Sequence, residues 1–160
     1  PSGGTPADED KARQMISALD PAVTVQNAVA TVEFLKADKR TTGKVGVIGF
    51  CWGGGVANQL VVASPDLGAA VSYYGMQPKA NIGQIKARMM MHYAGLDERT
   101  NAGIPDFEAA LKAAGVNYQV FVYAGANHAF NNDTSAARYD KAAADLAWSR
   151  TIPFLKAALG

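Results

Sequence analysis

Cys51, the only cysteine in the chain, stands in Gly49-Phe50-Cys51-Trp52-Gly53-Gly54-Gly55, between the apolar run Val45 to Gly49 and a helix-compatible stretch. A strand that stops abruptly, presents a nucleophile and enters a helix leaves that nucleophile's backbone strained. A Cβ two positions before or after it is expected to collide with the turn. Gly49 and Gly53 occupy those two positions, so the stretch reads G-x-C-x-G, the cysteine counterpart of the G-x-S-x-G nucleophile elbow. The chemistry open to such a residue is attack on an acyl carbon. A lone cysteine is often simply buried, but a structural cysteine has no need of flanking Gly49, Gly53 and Gly54. A phosphate-cradling loop is a poorer reading. Neither G-x-G-x-x-G nor G-x-x-x-x-G-K-[ST] matches, and the next strand ends at Tyr73-Tyr74 without an acid for a ribose.

A thiol nucleophile needs a base, and the base needs an orienting acid. His128, in Gly125-Ala126-Asn127-His128-Ala129-Phe130, follows a strand and precedes the last helix. Its competitor His92 lies within a strand, where its ring is expected to pack or bond locally. Asp97, in Gly95-Leu96-Asp97-Glu98, lies just past a strand's carboxyl end, with Glu98 and Asp133 as alternatives. Aspartate also favours such positions for turn capping alone. Chain order favours Asp97: nucleophile, acid, histidine is the α/β-hydrolase order.

The elements that must hold these residues alternate in type. Asp8 to Leu19 has the spacing of a short amphipathic helix, and Asp20-Pro21 reads as an N-cap with proline in the first turn. Val25, Val29, Val32 and Leu35 then mark a helix facing a sheet. Strands are predicted at Val45–Gly49 (of the buried type), Ala69–Tyr74, Met89–Tyr93 and Tyr118–Tyr123. Helices are predicted over Gly54–Ala63, from Ile104 to Ala114 with Gly115 closing it, and over Ser135–Leu159. The last carries Trp148, Ile152, Leu155 and Leu159 on one face and is kinked at Pro153. Alternating strands and helices predict an α/β three-layer sandwich with a mostly parallel sheet of about four strands. Functional groups then gather beyond the strands' carboxyl ends.

The bulk properties exclude more than they assign. A chain of 160 residues reads as a single domain, 1–160. Its net charge of +1, with no Lys/Arg cluster, gives no reason to expect nucleic acid or an anionic membrane as partner. No run is long and apolar enough for a membrane span, and one cysteine excludes an intrachain disulfide or a multi-cysteine metal site. No targeting signal is read, leaving the cytoplasm as the default location. Because the chain opens Pro-Ser-Gly-Gly without methionine, a preceding segment is expected.

Gly49-Phe50-Cys51-Trp52-Gly53-Gly54, Tyr73-Tyr74-Gly75, Gly95-Leu96-Asp97 and Asn127-His128-Ala129-Phe130 together resemble the dienelactone hydrolase (carboxymethylenebutenolidase) family, over essentially the whole chain. The resemblance implies an α/β-hydrolase fold and a triad of Cys51, Asp97 and His128, with the Trp52 amide as an oxyanion donor. Tyr73, Tyr74 and Phe130 are the implied substrate contacts. The implied reaction opens a lactone or ester through an acyl-enzyme, with no metal or organic cofactor, as in aromatic compound degradation. Family members are longer, so this chain corresponds to about their C-terminal two thirds. By that resemblance it lacks the N-terminal strands, the loop bearing the second oxyanion amide, and an activating glutamate. Family arginines that bind a substrate carboxylate have no counterpart at Asn131-Asn132-Asp133, which points to a broader ester or lactone range. The strand at Val45–Gly49 then has an unpaired edge, to be covered by the N-terminal segment, a second copy in a homodimer, or a separate N-terminal fragment. The alternative function is a weakly active or non-catalytic hydrolase fragment that acts as an association module.

Overall fold

The computed structural model describes Gly4 and residues 6–160. A single parallel sheet of four strands runs in the order β1 (Gly46–Phe50), β2 (Ala69–Tyr73), β3 (Arg88–Ala94) and β4 (Tyr118–Tyr123). The register pairs Gly49 with Ser72 and Phe50 with Tyr73, and then Tyr73 with His92 and Ala94 with Tyr123. Neighbouring strands are consecutive in sequence, so right-handed crossovers place the connecting helices on one face. That face carries α2 (Pro21–Ala37), α3 (Trp52–Ala63) and α5 (Ile104–Ala113). Its core is built from Val32, Leu60, Val61, Met89, Met91, Phe107 and Leu111. The other face is covered by α6 (Lys141–Leu159), packed on β2 and β3 around Val71, Tyr73, Met90, Phe130, Ala147 and Phe154. The result is a three-layer α/β sandwich.

Local chemistry sets the element ends. Asp8 caps α1 (Glu9–Ser17) by accepting from Lys11 N–H at 2.7 Å, and Asp20 caps α2 by accepting from Ala22 N–H at 2.7 Å. Gly115, at φ +67°, turns the chain out of α5 where a Cβ would be strained. A short 3₁₀ turn, Ile82–Gln84, lies in the connection before β3.

Three expectations need correction. The helix expected from Ser135 begins only at Lys141: residues 135–139 form turns, and Asp140 fixes the start by accepting from Ala143 N–H at 3.0 Å. Its packing face is centred on Ala143, Ala147, Thr151 and Phe154, while Ile152 is exposed. Pro153 lies inside α6, as expected, and the helix continues past it to Leu159. The first strand is not of the buried type: β1 lies at the sheet edge among the described residues, and Ile48 and Phe50 are each 37% exposed. Among the described residues no helix is long and apolar enough to cross a membrane.

Candidate active site

β1 delivers Cys51 into a sharp turn. Its backbone has φ 54° and ψ −119°, outside the regions that L-residues favour, at a cost on the order of 1–3 kcal/mol. The bonds on either side hold it there. Cys51 N–H donates to the Tyr73 carbonyl at 3.0 Å, extending the β1–β2 ladder, and the Cys51 carbonyl accepts from Gly55 N–H at 3.1 Å, opening α3. A Cβ on Gly49 would run into the Gly53 carbonyl, so this glycine is required as expected. Gly53 is different, because nothing lies within 4 Å of the place its Cβ would occupy. The crowded second glycine is Gly54, whose Cβ would sit 2.7 Å from the Tyr73 carbonyl and against Gly75. Ser72 Oγ then donates to the Gly54 carbonyl at 3.0 Å and pins the start of α3 to β2.

The acid and the histidine come from the next two strand ends. Leu96 N–H donates to the Ala126 carbonyl at 3.0 Å and Gly95 N–H to the Tyr123 carbonyl at 2.8 Å, tying the loop after β3 to the loop after β4. Asp97 caps the short helix α4 (Glu98–Asn101), one carboxylate oxygen accepting from Thr100 N–H at 3.2 Å. Its other oxygen lies 2.5 Å from His128 Nδ1. Turn capping and histidine orientation, which competed as readings of the sequence, are done by one carboxylate. His128 Nε2 stands 3.1 Å from Cys51 Sγ, which completes a Cys51–His128–Asp97 line.

The charges reinforce this line. The hydrogen bond to His128 holds the Cys51 thiol below its ordinary range; burial opposes it, and the Trp52 amide and Arg99 add to the lowering. His128 is raised by its bond to Cys51, against burial and with help from Asp97. For Asp97, burial alone would raise the carboxyl, but bonds from Thr100 and His128 outweigh it and leave it lowered. A lowered thiol beside a raised imidazole favours the thiolate–imidazolium pair over two neutral groups. The pair gains as pH rises through the Cys51 pKa and is lost as pH rises through that of His128. The rate of Cys51 alkylation by iodoacetamide should therefore rise with pH to a midpoint below the free-thiol value of about 8.5. In His128→Ala the midpoint should move up toward that value; equal midpoints in the two proteins would contradict the pairing.

The other residues singled out in the sequence fall into two groups. Tyr74, with φ 41°, turns its ring to 5.0 Å from that of His128 and lines the cleft beside Cys51. Tyr73 and Phe130 do not line it: both are fully buried, and the Tyr73 hydroxyl shares a hydrogen bond of 2.8 Å with Thr151. Period-two alternation sends the Tyr73 side chain into the α6 face with Val71. His92 behaves as a strand histidine. Its ring lies between Tyr123 Oη at 2.8 Å and Thr151 Oγ1 at 3.0 Å, and burial pushes it down to about 3, which keeps it neutral. Neither Glu98 nor Asp133 replaces Asp97 as the acid on His128.

The cleft has a volume of about 300 Å³, and besides Cys51, Trp52, Tyr74 and His128 it is walled by α2 through Pro21, Thr24 and Val25. Among the lining residues that sequence reasoning missed are Met76 and Arg99. The only available signal for Arg99 was its place two residues after Asp97, within a capped turn that periodicity is too short to reveal. Among the described residues no group of three or more His, Cys, Asp or Glu side chains is placed to hold a metal ion.

The same chain matches known proteins over nearly its full extent. The model of the dienelactone hydrolase family covers residues 2–159. Carboxymethylenebutenolidase from Pseudomonas putida is 31% identical over 158 residues, which is 94% of this chain and 65% of that protein. Protein usf from Aquifex pyrophilus is 36% identical over 132 residues, 79% of this chain and 57% of its own. A solved structure named m3DLH superposes with a TM-score of 0.86 over 99% of this chain and 72% of that one, at 22% identity, a likeness of fold. The chain spans about half to two thirds of the length of the curated relatives it matches, from 45% to 65%. With a family model matched from residue 2 to residue 159, this chain belongs to the dienelactone hydrolase family.

Proposed function

We propose that this chain is the catalytic part of a hydrolase of carboxylic esters or lactones that works through an acyl-enzyme on Cys51. The observation that carries the reading is the continuous line from Cys51 Sγ to His128 Nε2, at 3.1 Å, and from His128 Nδ1 to Asp97, at 2.5 Å. The thiolate adds to the substrate carbonyl, and the carbonyl electron pair moves onto oxygen. The Trp52 N–H, at the positive end of α3, is the donor available to that oxyanion. As the tetrahedral adduct collapses, the imidazolium gives its Nε2 proton to the departing alkoxide or enolate. A thioester on Cys51 and a neutral His128 remain. Neutral His128 then takes a proton from water, hydroxide adds to the thioester, and the acid leaves as the thiolate is restored. Throughout, Asp97 holds Nδ1–H and stabilises the cation.

A single oxyanion donor of this kind is worth about 100- to 1,000-fold in rate. The substrate class by family resemblance is a small lactone or ester, without metal or organic cofactor.

A second reading, a module that associates through its sheet edge, is favoured by the half-exposed Ile48 and Phe50 on edge strand β1. Its partner is a second copy or an N-terminal fragment. One experiment separates the two: acyl transfer from an activated ester to Cys51 occurs under the first and is absent from a folded chain under the second.

A further inference from the structure

The apolar face that α6 lays on the sheet has a polar centre. Thr151, fully buried, forms two hydrogen bonds there, with Tyr73 Oη at 2.8 Å and with His92 Nε2 at 3.0 Å. The run continues from His92 Nδ1 to Tyr123 Oη at 2.8 Å, and that hydroxyl accepts from the Arg150 guanidinium at 3.1 Å. Arg150 is itself laid over the ring of Phe121, 4.0 Å from its centroid. One run of hydrogen bonds thus joins β2, β3 and β4 to two adjacent residues of α6. Burial keeps His92 neutral, so one of its ring nitrogens donates and the other accepts. Fold stability alone does not call for such a run. Apolar groups of matching shape in place of both partners of a buried hydrogen bond are close to neutral.

The main chains of the same three strand residues give it a use. The Tyr73 carbonyl accepts from Cys51 N–H at 3.0 Å. The His92 carbonyl accepts from Tyr74 N–H at 2.7 Å, where the backbone turns the Tyr74 ring toward His128. The Tyr123 carbonyl accepts from Gly95 N–H at 2.8 Å and from Ala126 N–H at 3.2 Å, the first just ahead of Asp97 and the second just ahead of His128.

We infer that His92 and Thr151 are positioning residues for the Cys51–His128–Asp97 line: through Tyr73 and Tyr123 they fix the strand ends that deliver all three side chains. A fully satisfied buried network rigidifies what it joins. The stakes are high, because a displacement of about 1 Å between reacting groups can cost about 100-fold in rate. The inference rests on the cysteine–histidine pairing of the proposed function. It goes further by placing part of that pairing's precision in α6, which supplies none of the described residues that line the cleft.

The test is the pH dependence of Cys51 alkylation by iodoacetamide, which needs no substrate. Thr151→Val keeps the shape of the side chain and removes the hydroxyl. Its midpoint should rise by about one pH unit toward the free-thiol value, slowing alkylation about 10-fold at pH values below both midpoints. Thr151→Ser, which keeps the hydroxyl, should hold the midpoint near that of the parent chain. Phe154→Leu loosens the same helix face without removing a hydrogen bond of the run, so it should lower the melting temperature and leave the midpoint in place. Tyr73→Phe removes one hydroxyl at the end of the run; it is the milder variant should Thr151→Val fail to fold, and its midpoint should move the same way. A midpoint left in place by the variants that lose a hydroxyl, or moved as far by Phe154→Leu, overturns the positioning role and leaves the triad standing. A parent chain that titrates like His128→Ala removes the cysteine–histidine pair itself, and the positioning role with it.

Discussion

Asp97→Asn should lower ester turnover by about 10⁴-fold while leaving the chain folded. The size follows from the role: an amide in place of the carboxylate no longer selects the His128 tautomer with its proton on Nδ1, and no longer stabilises the imidazolium. The stability forecast follows from the second job of the same side chain. Asparagine retains an oxygen able to accept from Thr100 N–H, now 3.2 Å from the carboxylate, so the cap on α4 survives. Asparagine and aspartate cap about equally well, within roughly 1 kcal/mol. Cys51→Ala and His128→Ala should each reduce turnover to the background left by binding alone. The double variant should be no worse than the singles, because groups that act as a unit are not additive. Turnover under steady-state conditions, with unfolding followed by circular dichroism, checks both halves. Additive losses, or an Asp97→Asn chain that loses activity only because it melts, would count against the triad.

Gly49→Ala should destabilise the protein more than any other single methyl added at the elbow. The new methyl group meets the carbonyl of Gly53, which is backbone in the first turn of α3 and cannot swing aside. Overpacking against movable side chains costs about 1–3 kcal/mol, and backbone is less forgiving, so about 3 kcal/mol or more is expected. For a domain of this size that lowers the melting temperature by roughly 10 °C. Gly53→Ala is the matched control: its methyl group enters open space, and alanine is the better helix former by up to about 1 kcal/mol. Its melting temperature should hold or rise slightly. Equal losses in the two variants would mean that the tight approach at Gly49 does not exist.

These two variants also show what sequence reading reaches. Cys51, Asp97 and His128 were found because each follows the end of a strand, and strand ends are set by local apolar runs and punctuating glycines. The elbow was found for the same reason, yet the steric argument was right for Gly49 and wrong for Gly53, whose place is taken by Gly54. Which glycine is crowded depends on how closely β2 and Gly75 approach α3, a tertiary distance with no local signature. Tyr73 and Tyr74 make the same point. Adjacent in sequence, one faces α6 and the other turns onto His128, because Tyr74 has left the strand at φ 41°. Arg99 escaped notice because α4 has a single turn, too short for a period to show. The late start of α6 escaped because the alanines at 136 and 137 favour helix, whereas the Asp140 cap and its N–H bond to the Phe130 carbonyl, at 3.0 Å, set the boundary.

The central claim is that Cys51 carries the acyl group. The direct measurement is intact-protein mass spectrometry on a rapidly quenched mixture of the chain with p-nitrophenyl acetate, followed by peptide mapping. The account predicts one acetyl group per chain, located on Cys51, sensitive to hydroxylamine, lost on standing as water completes the reaction, absent in Cys51→Ala and strongly slowed in His128→Ala. A folded chain that acquires no acetyl group, or that releases p-nitrophenol equally well after Cys51→Ala, would contradict it.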